Sequence, residues 1–154
     1  LAPHMVKQQA QIITQTLTTT YPQHAQLYER NYQNLASQLD QLDQSLNRSF
    51  APIAGKTMLV YHPAFGYLAD QYNFQQVHFE IEGQEPSISD LQEVIELAKT
   101  QDIQVVFVQK QFSQDSAQAL AESIGGSVVA IDPLAPDYLQ NIQQLADTIS
   151  QNLQ

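Results

Sequence analysis

Two side chains with metal-binding or acid–base capacity stand directly behind apolar, β-branched runs: His62 follows Met58-Leu59-Val60-Tyr61, and Asp132 follows Val128-Val129-Ala130-Ile131. A neutral imidazole nitrogen and a carboxylate oxygen are ordinary ligands for zinc or manganese, each donating at about 2.0–2.2 Å. Two such groups make half of a tetrahedral shell. A third run leads into Glu80 and Glu82, and a fourth into Gln109-Lys110-Gln111. If these four runs are parallel strands, all of these residues share one rim, because ligands of open α/β sheets bind beyond the carboxyl ends of the strands. A plainer role competes at each position, since a strand-end histidine or an Asp-Pro pair often just caps a turn. His78 lies inside a strand, where packing or a surface role is the better reading. His4 and His24 have no acidic or imidazole partner at i+4 and read as solvated. Glu80, Glu82 and Glu85 read as a solvated loop, with a lesser part in the rim.

Catalytic and nucleotide motifs are absent. The chain has no G-x-G-x-x-G, P-loop, H-E-x-x-H or G-x-S-x-G. Ser113, His62 and Asp132 can be assembled on paper into a nucleophile–base–acid set, but nothing in their spacing fixes the geometry. Gly125-Gly126 precedes a strand, so it stops a helix and does not cradle a phosphate. The absence of cysteine removes thiolate metal sites, disulfides and cysteine nucleophiles. A formal charge of −10 disfavours nucleic acid and anionic membrane surfaces, which repel such a chain, and leaves small cations and basic partners.

The elements that must position these residues are legible in the hydrophobic periodicity. The 154 residues suit one domain with a real core, and the 43% hydrophobic content argues against disorder. Up to Phe50 the chain has helical periods only. Val6, Ala10, Ile13 and Leu17 mark a first amphipathic face. After Pro22, with Thr20 and Gln23 resembling a capping box, Tyr28, Tyr32, Leu35, Leu39, Leu42 and Leu46 mark a second. From Gly55 onward, short strands alternate with capped helices, the signature of βαβ units. The strands are predicted at Thr57–Tyr61, Gln76–Glu80, Gln104–Val108 and Ser127–Ile131, the second as an edge, the third and fourth covered on both faces. Ser87 and Ser113 precede the next two helices, and Pro136-Asp137 opens the last. The fold class is therefore α/β: a four-stranded parallel sheet flanked by helices and preceded by a long helix.

Beyond these patterns, Tyr61-His62-Pro63-Ala64-Phe65-Gly66-Tyr67-Leu68-Ala69-Asp70-Gln71-Tyr72 resembles the second-lobe signature of the zinc/manganese solute-binding proteins of ABC importers. Glu85-Pro86-Ser87, Val105-Val106-Phe107-Val108-Gln109 with Gln111-Phe112-Ser113, and Ile131-Asp132-Pro133-Leu134 with Asp137-Tyr138 continue the likeness in order and spacing. The resemblance implies that residues 1–54 are a short helix and the long bridge between lobes, and that residues 55–154 are the carboxy-terminal lobe. It implies a metal held between lobes, usually by three histidines and often a carboxylate, in a periplasmic protein that docks on a membrane permease.

Carried over by position, His62 is the second-lobe histidine and Asp132 the second-lobe carboxylate. The family's other two histidines have no counterpart here, and His4 does not replace them. The expectation is a chain lacking its amino-terminal lobe, holding Zn2+ (alternatively Mn2+) weakly or not at all. Its uncovered face would tend to pair two copies. Histidine at position 62 favours zinc, because manganese members often place a carboxylate there. The other reading is a stand-alone metal-dependent α/β enzyme using His62, Glu80 and Asp132. A third is an interaction domain with an inert rim.

Overall fold

The computed structural model describes residues 1–81 and 83–154. Two helices come first, α1 (Pro3–Thr20) and α2 (Ala25–Phe50), joined by a short 3-10 turn over Pro22–His24. Pro3 sits in the first turn of α1, where its missing N–H costs nothing. The predicted capping box at Thr20 does not form: Thr20 Oγ1 donates back to the Thr16 carbonyl at 2.8 Å, and α2 starts without a side-chain cap. Thr20 is the last residue of α1, whereas α2 begins at Ala25 with His24 at its N-cap position.

The remainder alternates strand and helix: β1 (Thr57–Val60), α3 (Gly66–Tyr72), β2 (Gln75–His78), α4 (Ile88–Thr100), β3 (Val105–Gln109), α5 (Asp115–Ile124), β4 (Ser127–Ile131) and α6 (Tyr138–Leu153). All pairings are parallel, in the order β2-β1-β3-β4, which makes β2 the predicted edge. The fold is thus the expected α/β class with a preceding long helix. Three details differ from the expectation. Helix α3 occupies the signature segment, where no helix is predicted, because at seven residues it is too short to show a helical period. Strand β4 is the other edge, so Val128 and Val129 are only half-buried although the run is continuously apolar. Strand β2 ends at His78, two residues before Glu80.

Alternating strand residues divide the core. Met58, Val60, Phe107 and Ile131 face α2, α3 and α6, meeting Leu46, Phe50, Leu68, Ile142, Leu145 and Ile149. Leu59, Tyr61, Val106 and Val108 face the other way, onto Ala98 of α4 and Ala117, Leu120 and Ala121 of α5. Only the carboxyl-terminal part of the α2 stripe is deeply buried. Ala36, Leu39, Leu42, Leu46 and Phe50 are covered, whereas Tyr28, Tyr32 and Leu35 are half-buried beside α1. A polar seam ties this foot down: Asp43 accepts from Tyr72 Oη at 2.7 Å and from Gln71, which also meets His4. His4 is therefore exposed but not simply solvated. Among the described residues no helix is long and apolar enough to cross a membrane.

Helix α4 carries the capping box predicted at Ser87, completed by Asp90, and Asp137 caps α6 by accepting from the Gln140 N–H at 3.1 Å. Gly125, in the left-handed region at φ 68°, ends α5. Gly126 is needed for a different reason: a Cβ there would overlap the Gln104 carbonyl oxygen and lie 2.7 Å from its carbon. Gly126→Ala is expected to cost about 1–3 kcal/mol, because the backbone start of β3 must move to admit one methyl. Urea denaturation measures it, and an unchanged midpoint would refute the close approach.

Burial and the bond to Asp43 raise the Tyr72 phenol, and burial raises that of Tyr138 to about 12. Both favour the neutral form when folded. The stability they confer is complete below the unfolded phenol value of about 10; Tyr138's share is lost as pH rises through about 12 and Tyr72's only at higher pH. Alkaline spectrophotometric titration should show Tyr72 and Tyr138 ionising only as the fold opens.

Candidate metal centre

The rim is built by extending the strand ladders past their formal ends. Register Thr57↔Gln75 between β1 and β2, and Leu59↔Val106 between β1 and β3, places Glu80 and Gln109 as the lateral neighbours of His62. The backbone continues that alignment, since the Tyr61 N–H donates to Phe107 at 2.9 Å and the Glu80 N–H to Tyr61 at 3.1 Å.

His62 is held on three sides. Its Nδ1 meets Glu80 Oε2. Its backbone is clamped by the Gln109 side chain, which accepts from the His62 N–H at 3.2 Å and donates to the His62 carbonyl at 2.7 Å. Its ring stacks on Phe112, with centroids 5.2 Å apart and planes 28° from parallel. Glu80 and Gln109 are 5% and 1% exposed, while the His62 side chain is 42% exposed. An anchored base with an open outer edge results.

Glu80 was expected in a solvated loop, and the structure corrects this: it is buried, with Oε2 on His62 and Oε1 accepting from the Gly83 N–H. Burial by itself would raise its pKa, but the bonds from His62 and Gly83 outweigh that and hold it below the ordinary glutamate value. The carboxylate is therefore ionised at neutral pH. Glu82 lies outside the described residues. Gly83, at φ 81°, and the bridged Ile81 and Gln84 backbones mark a turn just after Glu80.

Asp132 lies on the same rim but apart from His62. In register with Lys110, it is two strands from β1, about 10 Å at the usual strand spacing. Its Oδ1 accepts from Gln111 Nε2 at 2.8 Å and from the Leu134 N–H at 3.1 Å, and these bonds hold the exposed carboxyl below its ordinary pKa. Among the described residues no three His, Cys, Asp or Glu side chains converge as a metal cluster. His78 is exposed at the end of β2. Ser113 Oγ accepts from the Asp115 N–H at 3.2 Å and joins no triad.

A carboxylate-anchored histidine on the rim of a parallel α/β sheet makes a candidate ligand site of an α/β protein. The chain is a member of the family described as zinc-uptake complex component A, periplasmic (ZnuA), which it matches over residues 1–152. It is 32% identical, over 95% of its length, to a Chlamydia trachomatis serovar D protein named for inferred metal binding, and covers 53% of that protein. It is 28% identical to the high-affinity zinc uptake system protein ZnuA of Bacillus subtilis, with 87% of this chain and 43% of that protein aligned. A crystal structure of ZnuA superposes with a TM-score of 0.95 and 36% identity, covering 100% of this chain and 60% of that one. The chain thus spans about half the length of the curated relatives it matches.

Removing the amide clamp should be visible without any ligand. Gln109→Ala is expected to lower stability by about 1–3 kcal/mol, the cost of leaving the His62 backbone groups without their partner. Chemical denaturation measures this, and a loss below about 0.5 kcal/mol would mean that water replaces the clamp.

Proposed function

We propose that this chain is the carboxy-terminal lobe, with its bridging helix, of a solute-binding protein that delivers zinc to the permease of an ABC importer. His62 and Asp132 are its share of the metal site. Residues 1–54 form the bridge and residues 55–154 the lobe. The observation that carries this reading is His62 itself: a histidine fixed from behind by Glu80 and Gln109, exposed outward, at the strand edge where such lobes take ligands. The ZnuA match and the zinc uptake named for the Bacillus relative support zinc as cargo, with manganese the alternative.

Two ligands on strands separated by β3 make an incomplete shell, so the chain by itself binds metal weakly. The amino-terminal lobe supplies the rest. Exposed Ile12, Ile13, Tyr21 and Leu27 on the α1–α2 hairpin offer apolar surface for that lobe, or for a second copy in its absence. The family description supports an extracytoplasmic, periplasmic setting and a partner in the membrane. The protein binds and releases its cargo without transforming it. An enzyme using His62, Glu80 and Asp132 around one metal is disfavoured because both Glu80 oxygens are already engaged.

In the protein carrying both lobes, zinc should bind one-to-one by calorimetry. His62→Ala should weaken it about 100-fold and Asp132→Ala by less, a loss of about 3 kcal/mol for the stronger ligand. Unchanged affinity in His62→Ala would remove that residue from the site. Reading the codons upstream of Leu1 is a second check: if they encode no further lobe with an Asp-Pro-His stretch, the two-lobe reading fails.

A further inference from the structure

We propose that Glu80 is the positioning residue of this half-site: by accepting the Nδ1 hydrogen of His62 it fixes the tautomer in which Nε2 is unprotonated and available to a divalent cation. The inference rests on the metal-binding reading above and deepens it. Neutral imidazole carries one hydrogen, and the nitrogen that bears it cannot ligate a metal. Which nitrogen bears it is decided by the partner of the other.

Here the partner is an acceptor. The buried Glu80 carboxylate faces Nδ1, and no described residue hydrogen-bonds Nε2. Because the two ring nitrogens diverge, a ring tethered inward through Nδ1 turns Nε2 toward the exposed edge. The Phe112 stack and the Gln109 clamp restrain the ring plane and the backbone, but neither touches a ring nitrogen, so neither selects the tautomer.

The competing role for Glu80 is purely local, holding the turn at Gly83 through its other oxygen. The two roles separate in Glu80→Gln. A glutamine oxygen can still accept from the Gly83 N–H, while its NH2 presents a donor to His62. That donor favours an unprotonated Nδ1 and moves the hydrogen to Nε2, where it blocks ligation.

The test reads both the tautomer and the metal. Long-range proton–nitrogen spectra of the metal-free chain at about pH 9, well above the ordinary imidazole value, should show His62 with hydrogen on Nδ1. The signal is assigned by its loss in His62→Ala. In Glu80→Gln the hydrogen should move to Nε2. With zinc chloride and the two-lobe protein, Glu80→Gln should weaken zinc binding about 10–100-fold while its melting curve stays close to that of the parent.

A wild-type signal with hydrogen on Nε2 overturns the proposal without any variant. So does an unmoved tautomer in Glu80→Gln. Zinc affinity within about twofold of the parent, in a Glu80→Gln protein where His62→Ala does lose affinity, overturns it as well and leaves Glu80 as the anchor of the Gly83 turn. Unchanged zinc affinity in His62→Ala sinks the metal reading itself and with it any metal role for Glu80. The tautomer, read without metal, tells the two failures apart.

Discussion

Parallel pairing obliges every strand of this sheet to end at the same edge, and the offset between neighbours is fixed once one face of each strand is buried. Met58 and Val60 turn to one core and Leu59 and Tyr61 to the other, so β1 cannot slip by a residue without exchanging the two. That constraint carries beyond the last ladder bond. His62, Glu80 and Gln109 are neighbours because β1, β2 and β3 are aligned below them, and the rim inherits its geometry from the core.

The buried charge of Glu80 is the costly part of this arrangement. A carboxylate almost withdrawn from water is tolerable only when its oxygens are engaged, and here one is met by an imidazole and the other by a backbone N–H. The Gly83 turn therefore has a definite function, since it brings the second donor. The same two bonds keep the group ionised, so its preference for an Nδ1 hydrogen persists at neutral pH.

Much of the fold was legible in the sequence, because β-branched runs between capped helices leave few topologies open. Strand positions came within one or two residues, and Ser87, Gly125 and Asp137 cap as their types suggest. Helix α3 was not legible from periodicity, being too short to show a period. His62 could be singled out by its place behind an apolar run. Glu80 is legible as a rim residue but not as the partner of His62, because a run of glutamates near a turn looks solvated until the β1–β2 register is known. That register was the missing signal: the offset relating Thr57 to Gln75 also relates His62 to Glu80. The place of Asp132 behind an apolar run puts it at the end of β4, but sequence order says nothing of the strand that separates it from His62.

Helix α2 is also a lever arm. Its 26 residues span about 39 Å, and only the stretch from Ala36 onward is deeply embedded, through Leu42, Leu46 and Phe50 against the sheet and Asp43 against Tyr72. The stretch of α2 before Ala36 spans about 16 Å, so a tilt of about 5° at that foot displaces the far tip by about 1.4 Å. Small repackings around Phe50 and Tyr72 are thereby carried along α2 toward Ala25, so the aromatic packing at the base bears on alignment at a distance it never touches.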